Sequence, residues 1–283
     1  MKVLKFGGTS VGTADSIKEV IGIIESNIEN NERIAVVFSA MGGVTNRLIE
    51  IGKMAASGNL EYIEFLKVVE ERHFAVIRAL INVKHQSSTF AAVRGLFNEL
   101  SDILKGVSWI RELSDRSMDL VMSFGERLST MVITEVLLSR GAKVAFCDAR
   151  QLIRTSDGFG NAEVDFAITD HLILEYFAKS SELQCVTGFI AATQDGVTTT
   201  LGRGGSDYTA SILAAALEAD SIEIWTDVDG MMTADPRKVA NAFTIPSISY
   251  TEAMELSHFG AKVIYPPSLQ PAFAKNITLK VLN

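Results

Sequence analysis

One pattern constrains the fold of this chain more than any other: an apolar strand, then a glycine-rich or polar loop, then a helix. It occurs at residues 3–10 and again at residues 34–43, and a third such loop, at residues 202–207, leads into an alanine-rich helix. Strands that are apolar throughout are typical of parallel sheets with helices on both faces. The pattern therefore predicts an α/β fold, a three-layer α/β/α sandwich around a central, mainly parallel sheet.

The segment between residues 60 and 119 departs from this pattern. Strand signals vanish there, and apolar side chains such as Phe65, Val69 and Val76 follow helical spacing. We interpret the segment as a helical insertion packed on one edge of the domain. Elsewhere the sequence predicts a helix capped by Thr13, helices at 120–140, from the third loop to 217 and at 251–259, a hairpin or loop at 157–161, and strands at 142–146, 183–189, 197–201, 221–225 and 278–282.

Composition excludes several classes of protein. The formal net charge of −8 argues against a nucleic-acid-binding surface, which needs a clustered basic face. No stretch approaches the roughly 20 apolar residues of a membrane span, and no signal peptide is evident, so we expect a soluble cytoplasmic protein. Cys147 and Cys185 are expected to be buried free thiols. The four histidines lack metal-ligand spacing, so no metal site is predicted.

The glycine-rich loops and the strand ends beside them contain the residues that indicate a phosphate-binding function. Free N–H groups at helix N-termini attract anions, so Gly7-Gly8 and Gly204-Gly205 could each approach a phosphate, although either pair could simply form a tight turn. Lys5 lies in the first strand, two residues before the glycines, where an ammonium group suits a developing phosphoryl charge. The alternative for Lys5 is a surface lysine, which is awkward between apolar neighbours. The Walker A spacing is absent, and so is a dinucleotide fingerprint after the first strand.

The segment KFGGTS at residues 5–10 resembles the opening signature of aspartokinases, within the amino-acid kinase superfamily. Further motifs similar to that family follow in order along essentially the whole chain. They are SAMGGVTN (39–46), SFGER (123–127), TTTLGRGGSDY (198–208), WTDVDG (225–230), DPR (235–237) and FGAKV (259–263).

The resemblance implies the amino-acid kinase fold and an enzyme that transfers the γ-phosphoryl group of ATP to the β-carboxylate of L-aspartate. Mg²⁺ would be bound mainly through the ATP phosphates. Lys5 and Asp207 would be catalytic, Arg203 would bind a substrate carboxylate, and Glu126 would accept hydrogen bonds from the substrate ammonium group. The implied substrate-binding set is Ser39, Thr45, Glu126, Arg203 and Ser206, and the implied nucleotide-binding set is Lys5, Phe6, Gly7, Gly8, Thr226, Asp227, Met232, Arg237, Lys262 and Val263.

The resemblance also implies an organisation. An aspartate-binding lobe would cover residues 1–200 and a nucleotide-binding lobe residues 201–283, without the regulatory domains that usually follow in the family. By analogy, we expect a homodimer and a role early in lysine, threonine and methionine synthesis. One departure is Met231-Met232, because the family commonly has a hydrophobic residue followed by an aromatic one there.

Alternatives stay open on the sequence alone. The acceptor could instead be glutamate, acetylglutamate, carbamate or a nucleoside monophosphate, or the chain could be a non-catalytic nucleotide sensor. A sensor would be expected to lack Lys5 or Asp207, and both are present. Individually, Glu126 could lie on an exposed helix face, Asp227 in an ordinary turn, and Ser39 at a cap.

Overall fold

A computed structural model describes residues 1–30, 32–228, 230–234, 239, 241–258 and 265–283. Strands and helices are numbered in chain order within these residues. The strands are β1 (Lys2–Phe6), β2 (Ile34–Phe38), β3 (Val144–Cys147), β4 (Arg154–Thr155), β5 (Leu183–Thr187), β6 (Ile190–Thr193), β7 (Thr198–Thr200), β8 (Ser221–Trp225) and β9 (Thr278–Leu282). The helices are α1 (Ala14–Glu29), α2 (Val44–Ser57), α3 (Tyr62–Leu80), α4 (Val83–Ile110), α5 (Asp115–Ser139), α6 (Phe166–Lys179), α7 (Gly205–Ala216), α8 (Tyr250–His258) and α9 (Gln270–Ala274).

Six of the described strands form one sheet in the order β3-β5-β2-β1-β8-β9, and every pairing in it is parallel. Side chains alternate across it. Leu4 and Phe6 join a core cluster with the helices α1 to α5, whereas Val3 joins the cluster that contains α6, α7 and α9. The predicted three-layer α/β/α sandwich is therefore confirmed. Lys5 has the same parity as Val3, so its side chain points towards α7.

The helical insertion is confirmed. Helices α3 and α4 pack against α2 and α5, on the outer side of the helical layer. Leu104 and Phe97 of α4 lie in the same core cluster as the sheet residue Leu4. The insertion is therefore part of the main hydrophobic core.

Most predicted elements are confirmed, including the cap of α1. The hydroxyl of Thr13 accepts from the Ser16 N–H at 3.2 Å, while the Ser16 hydroxyl accepts from the Thr13 N–H at 3.1 Å, which forms a capping box. Helix α6 was not predicted, although Asp165 caps it by accepting from the Ile168 N–H. An aspartate before an apolar run is the sequence signal that could have predicted α6.

The strand predicted at residues 183–189 is wrong in its extent. Strand β5 ends at Thr187, and the chain resumes as β6 in a separate three-stranded sheet with order β4-β6-β7. The break contains Gly188 and Phe189, and Phe189 has a left-handed backbone with φ of 67°. Asp195 and Gly196 lie between β6 and β7, which pair antiparallel.

Both cysteines are free and buried, as predicted. Over the described ranges, no helix is long and apolar enough to cross a membrane. The boundary between two lobes near residue 200 stays a prediction; β8 and β9, from beyond it, belong to the same sheet as β1 and β2.

If the insertion belongs to the main core, Leu104→Ala should lower the free energy of unfolding by about 2–5 kcal/mol, because a fully buried leucine leaves a cavity. The matched control is Leu60→Ala, since Leu60 is 66% exposed and its loss should change stability by less than about 0.5 kcal/mol. Calorimetric or denaturant unfolding of both variants gives the comparison. Equal, small effects would contradict this packing.

Candidate active site

A cleft of about 360 Å³ lies beside the carboxyl ends of β1 and β2 and the N-terminus of α7. This is the edge at which open α/β sheets bind ligands. Seven of the residues predicted from the sequence line it together: Lys5, Gly8, Ser39, Thr45, Glu126, Ser206 and Asp207.

An ion pair between Lys5 and Asp207 lines this cleft. The distance from Lys5 Nζ to Asp207 Oδ1 is 2.6 Å, and the two side chains are only 10% and 14% exposed. Lys5 is held by parallel pairing of β1 with β2 and β8, and Asp207 lies in the first turn of α7, where the helix dipole favours a carboxylate. One carboxylate does not use all three ammonium donors, so Lys5 can also bind an anion.

Glu126 lies on a part of α5 that is buried on all sides, which excludes the exposed helix face considered above. Its Oε1 accepts from the Ala40 N–H at 3.1 Å, while its buried Oε2 has no hydrogen-bond partner among the described residues. Burial raises the pKa of the Glu126 carboxyl to about 8, and the Ala40 N–H opposes this shift only in part. A cation at Oε2 would satisfy this carboxylate.

The loop that follows β2 is held from two sides. The Ser39 N–H donates to Phe6 O at 3.1 Å, and the hydroxyl of Ser129, on α5, donates to Ser39 O at 2.7 Å. Ser129 lies one turn after Glu126, so the same helix sets both the carboxylate and the loop. Ser129 was not predicted, because no local pattern indicates a bond between residues 90 positions apart.

The break between β5 and β6 places Phe189 in the cleft and brings Gly188 against α7. A β-carbon on Gly188 would lie 2.6 Å from Ser206 Oγ and 3.0 Å from Phe38 O, so only glycine fits there. The Phe189 N–H donates to Thr209 Oγ1 at 3.0 Å, which ties the break to α7. Phe189 was not among the predicted site residues; a glycine inside an apparent strand was the available signal.

Arg203 does not line the cleft in this structure. Its side chain is exposed, and its Cζ lies 5.6 Å from the centroid of the Tyr265 ring, within the range of a cation–π contact. The neighbouring Gly202 and Gly204 do line the cleft, both with φ of 70°. The guanidinium group is therefore near the site but turned towards Tyr265.

The predicted nucleotide-binding residues separate into groups. The Gly7 N–H is already bonded to Trp225 O at 3.0 Å, and the Phe6 side chain is fully buried and stacked against Trp225. Thr226 and Asp227 line a second pocket of about 210 Å³, together with Phe6.

The remaining predicted nucleotide-binding residues are Met232, Arg237, Lys262 and Val263. Met232 lines neither the cleft nor the second pocket; it is half-buried and its backbone bridges to Thr244. Arg237, Lys262 and Val263 lie outside the described residues.

Other lining residues belong to neither the implied substrate-binding set nor the implied nucleotide-binding set, although most fall within the quoted motifs and Gly204-Gly205 was noted above as a possible phosphate contact. These residues are Ala40, Met41, Gly42, Gly43, Asn46, Phe189, Gly202, Gly204 and Gly205.

Within the part of the chain that the structure describes, no group of three or more histidine, cysteine or acidic side chains could hold a metal ion.

The model of the amino acid kinase family matches residues 1–283. The chain belongs to the amino acid kinase family.

Among members of this family, the bifunctional aspartokinase/homoserine dehydrogenase of Buchnera aphidicola is 37% identical over 287 residues, covering 100% of this chain and 35% of that protein. Lysine-sensitive aspartokinase 3 of Escherichia coli is 37% identical over 281 residues, covering 99% of this chain and 60% of that protein. The crystal structure of E. coli aspartokinase III with aspartate and ADP superposes with a TM-score of 0.89 at 35% identity, covering 99% of this chain and 62% of that one. This amino acid kinase chain thus spans about one to two thirds of the length of these relatives.

The environment of Glu126 predicts a pH dependence of stability. Between the ordinary pKa of 4.5 and the folded-state value of about 8, the folded protein binds more protons than the unfolded chain, so its free energy of unfolding falls as the pH rises. Glu126→Gln cannot ionise and still offers an oxygen to the Ala40 N–H. The variant should therefore gain stability relative to the parent protein from pH 4.5 to pH 8.

Thermal unfolding of the two proteins across this pH range tests the prediction, because groups common to both cancel in the difference. Glu29→Gln is the control, because it removes an exposed carboxylate instead of a buried one. A stability difference between Glu126→Gln and the parent that does not change with pH would show that folding leaves the pKa of this carboxyl at its ordinary value.

Proposed function

We propose that this chain is an aspartate kinase, which transfers the γ-phosphoryl group of ATP to the β-carboxylate of L-aspartate and yields 4-phospho-L-aspartate and ADP. One observation carries the proposal: a single cleft contains a buried Lys5–Asp207 pair and a buried Glu126 carboxylate with an unpartnered oxygen. The first suits a phosphoryl group and the second suits the ammonium group of an amino acid. The aspartokinase relatives, and the aspartate and ADP named for the E. coli structure, support it.

The substrate contacts follow from the charges in the cleft. The α-ammonium of aspartate binds Oε2 of Glu126, which stabilises the ionised carboxyl and offsets its desolvation. Ser39, Thr45 and Ser206 supply neutral hydrogen bonds. Arg203 turns from Tyr265 into the cleft and binds a substrate carboxylate through its planar pair of N–H donors, which matches two carboxylate oxygens.

The nucleotide contacts extend from the cleft past Gly7. A β-carbon placed on Gly7 would lie 3.6 Å from Lys5 Nζ and 3.8 Å from Thr226 Oγ1, so Gly7 separates the cleft from the pocket of Thr226 and Asp227. The phosphates lie along Gly7 and Gly8, and Mg²⁺ would be held mainly through them. Phe6 contributes through its backbone because its side chain is in the core.

The chemistry needs no general base, because the β-carboxylate of aspartate is already an anionic nucleophile at neutral pH. An oxygen of this carboxylate forms a bond to the γ-phosphorus while the bond from that phosphorus to the β,γ-bridging oxygen breaks, and ADP leaves with the electron pair. The protein must position two anions in line and offset their repulsion. Lys5 donates to the transferring phosphoryl oxygens, and Asp207 orients the ammonium group of Lys5.

The wider assignments also belong to this proposal. The Buchnera relative is named as both an aspartokinase and a homoserine dehydrogenase, and the E. coli relative is named as lysine-sensitive. Both names support a place early in lysine, threonine and methionine synthesis. A homodimer is proposed by analogy with this family, and the cytoplasmic location expected from the sequence is part of the same proposal.

The reaction is tested by incubating the chain with ATP, Mg²⁺ and L-aspartate and trapping the acyl phosphate with hydroxylamine. L-glutamate and N-acetylglutamate serve as parallel acceptors. Aspartate-dependent hydroxamate is the expected product. Hydroxamate from another acceptor alone would reassign the substrate, and ATP binding without turnover of any acceptor would favour a nucleotide sensor.

Lys5→Ala should lower kcat by about 10²-fold or more, since it removes one preorganised donor to the transition state. Lys2→Ala is the matched control on the same strand, because Lys2 pairs with Glu32 rather than with a cleft residue. The hydroxamate assay measures both. A near-normal kcat for Lys5→Ala, with Lys2→Ala also normal, would remove Lys5 from the mechanism.

Arg203→Ala should raise KM for aspartate by about 10- to 100-fold, the effect of losing a charged hydrogen-bond pair, and leave KM for ATP almost unchanged. Arg203→Lys should recover little, because a single ammonium group does not reproduce the two-point contact. Since Arg203 is exposed, the melting temperature should stay constant. An unchanged KM for aspartate would show that the guanidinium group stays on Tyr265.

A further inference from the structure

Two loops that line the cleft are in direct backbone contact. The Gly42 N–H donates to Gly8 O at 2.8 Å. A β-carbon on Gly8 would lie 3.0 Å from Ala40 O, and one on Gly42 would lie 3.0 Å from Gly8 O. Because neither glycine leaves room for a side chain, the spacing of the loop after β1 and the loop after β2 is set at this point.

Arg72 of α3 bonds to both loops from the side of the helical insertion. Its Nη1 donates to Gly42 O at 2.6 Å, and its Nη2 donates to Gly12 O at 2.7 Å. Gly12 directly precedes Thr13, the cap of α1. One half-buried guanidinium group therefore joins the loop after β2 to the start of α1.

The charge of Arg72 is also unusual for this helix. Arg78 pairs with Glu71, Lys67 with Glu64, and Glu70 with Arg94. Among the residues that the structure describes, Arg72 has no carboxylate partner within ion-pair distance, and its hydrogen bonds go to carbonyl oxygens. A cation that is not neutralised locally thus lies behind the loops that face the phosphates in the proposed function, and it favours a polyanion there.

We propose that Arg72 is a positioning residue for phosphoryl transfer, acting through the carbonyl oxygens of Gly12 and Gly42. It keeps the two loops at the separation that the ATP phosphates require and adds positive potential to them. The proposal rests on the proposed kinase function. It links catalysis to α3, a helix of the insertion that does not line the cleft itself.

We expect the loss of Arg72 to affect ATP binding and phosphoryl transfer rather than the binding of aspartate. Ser39, on the same loop as Gly42, has its own bonds to Phe6 and Ser129, and Glu126 is held by α5. Loss of the guanidinium group should therefore move the Gly8–Gly42 contact while the amino-acid contacts stay in place. A small displacement of a reacting group is enough to cost one to two orders of magnitude in rate.

Three variants form the experiment: Arg72→Ala, Arg72→Lys and, as a control on the same helix, Arg78→Ala. We expect Arg72→Ala to lower kcat about tenfold or more and raise KM for ATP several-fold, with KM for aspartate within about twofold of the parent value. Arg72→Lys should recover only part of the loss because it cannot reach two carbonyls in a fixed plane. Arg78→Ala should behave as the parent protein.

Two further measurements separate positioning from a purely structural role. Guanidinium chloride at millimolar concentration should raise kcat of Arg72→Ala and leave Arg78→Ala unaffected. Calorimetric titration should show weaker ATP binding by Arg72→Ala at a temperature where the protein is fully folded. Normal kcat and normal ATP affinity in folded Arg72→Ala would overturn the proposal, even if its melting temperature falls.

The design also separates this inference from the proposed function. If the parent protein binds ATP but phosphorylates no acceptor, the kinase assignment fails, and the ATP affinity of Arg72→Ala still decides whether Arg72 positions the phosphate loops. If the parent is active and Arg72→Ala equals it in both measurements, the kinase assignment holds and the role of Arg72 is rejected.

Discussion

The structure depends above all on the ion pair between Lys5 and Asp207. An ammonium group in the middle of a parallel sheet is costly to bury unless an anion meets it at hydrogen-bond distance. That distance of 2.6 Å requires α7 to begin close to the ends of β1 and β5, and this is possible because Gly188 has no side chain to keep Ser206 away. The backbone break after β5, the start of α7 and the position of the lysine are thus one arrangement.

Lys5 and Glu126, which both line the cleft, have opposite electrostatic requirements. Lys5 is already paired and has donors to spare, so an incoming phosphoryl group adds hydrogen bonds without leaving a buried cation alone. Glu126 is buried with an unpartnered oxygen, so the free protein favours its neutral form and a bound ammonium group favours the charged form. The cleft is therefore suited to a ligand that brings both a positive and a negative group.

The helical insertion and the neighbouring helix α5 matter to the site as well as to the core. From α5 come Glu126 and the Ser129 hydroxyl that holds the loop after β2, and from α3 comes the guanidinium group of Arg72. These helices pack together on the outer side of the sheet. A site at the end of parallel strands needs its loops held in place, because loop backbone has few hydrogen bonds of its own.

The sequence by itself determined the elements whose signals are local. Apolar runs identify β1 and β2, Thr13 identifies the start of α1, and the glycine motifs and the family resemblance identify Lys5, Glu126 and Asp207, which the fold brings to one cleft. The tertiary structure alone decided the end of β5 at Thr187, the entry of Phe189 into the cleft, the position of Arg203 against Tyr265, and the bonds of Ser129 and Arg72. The physical reason is range: periodicity and capping act over a few residues, whereas these contacts join groups 20 to 90 positions apart, and their partners are known only when the chain is folded.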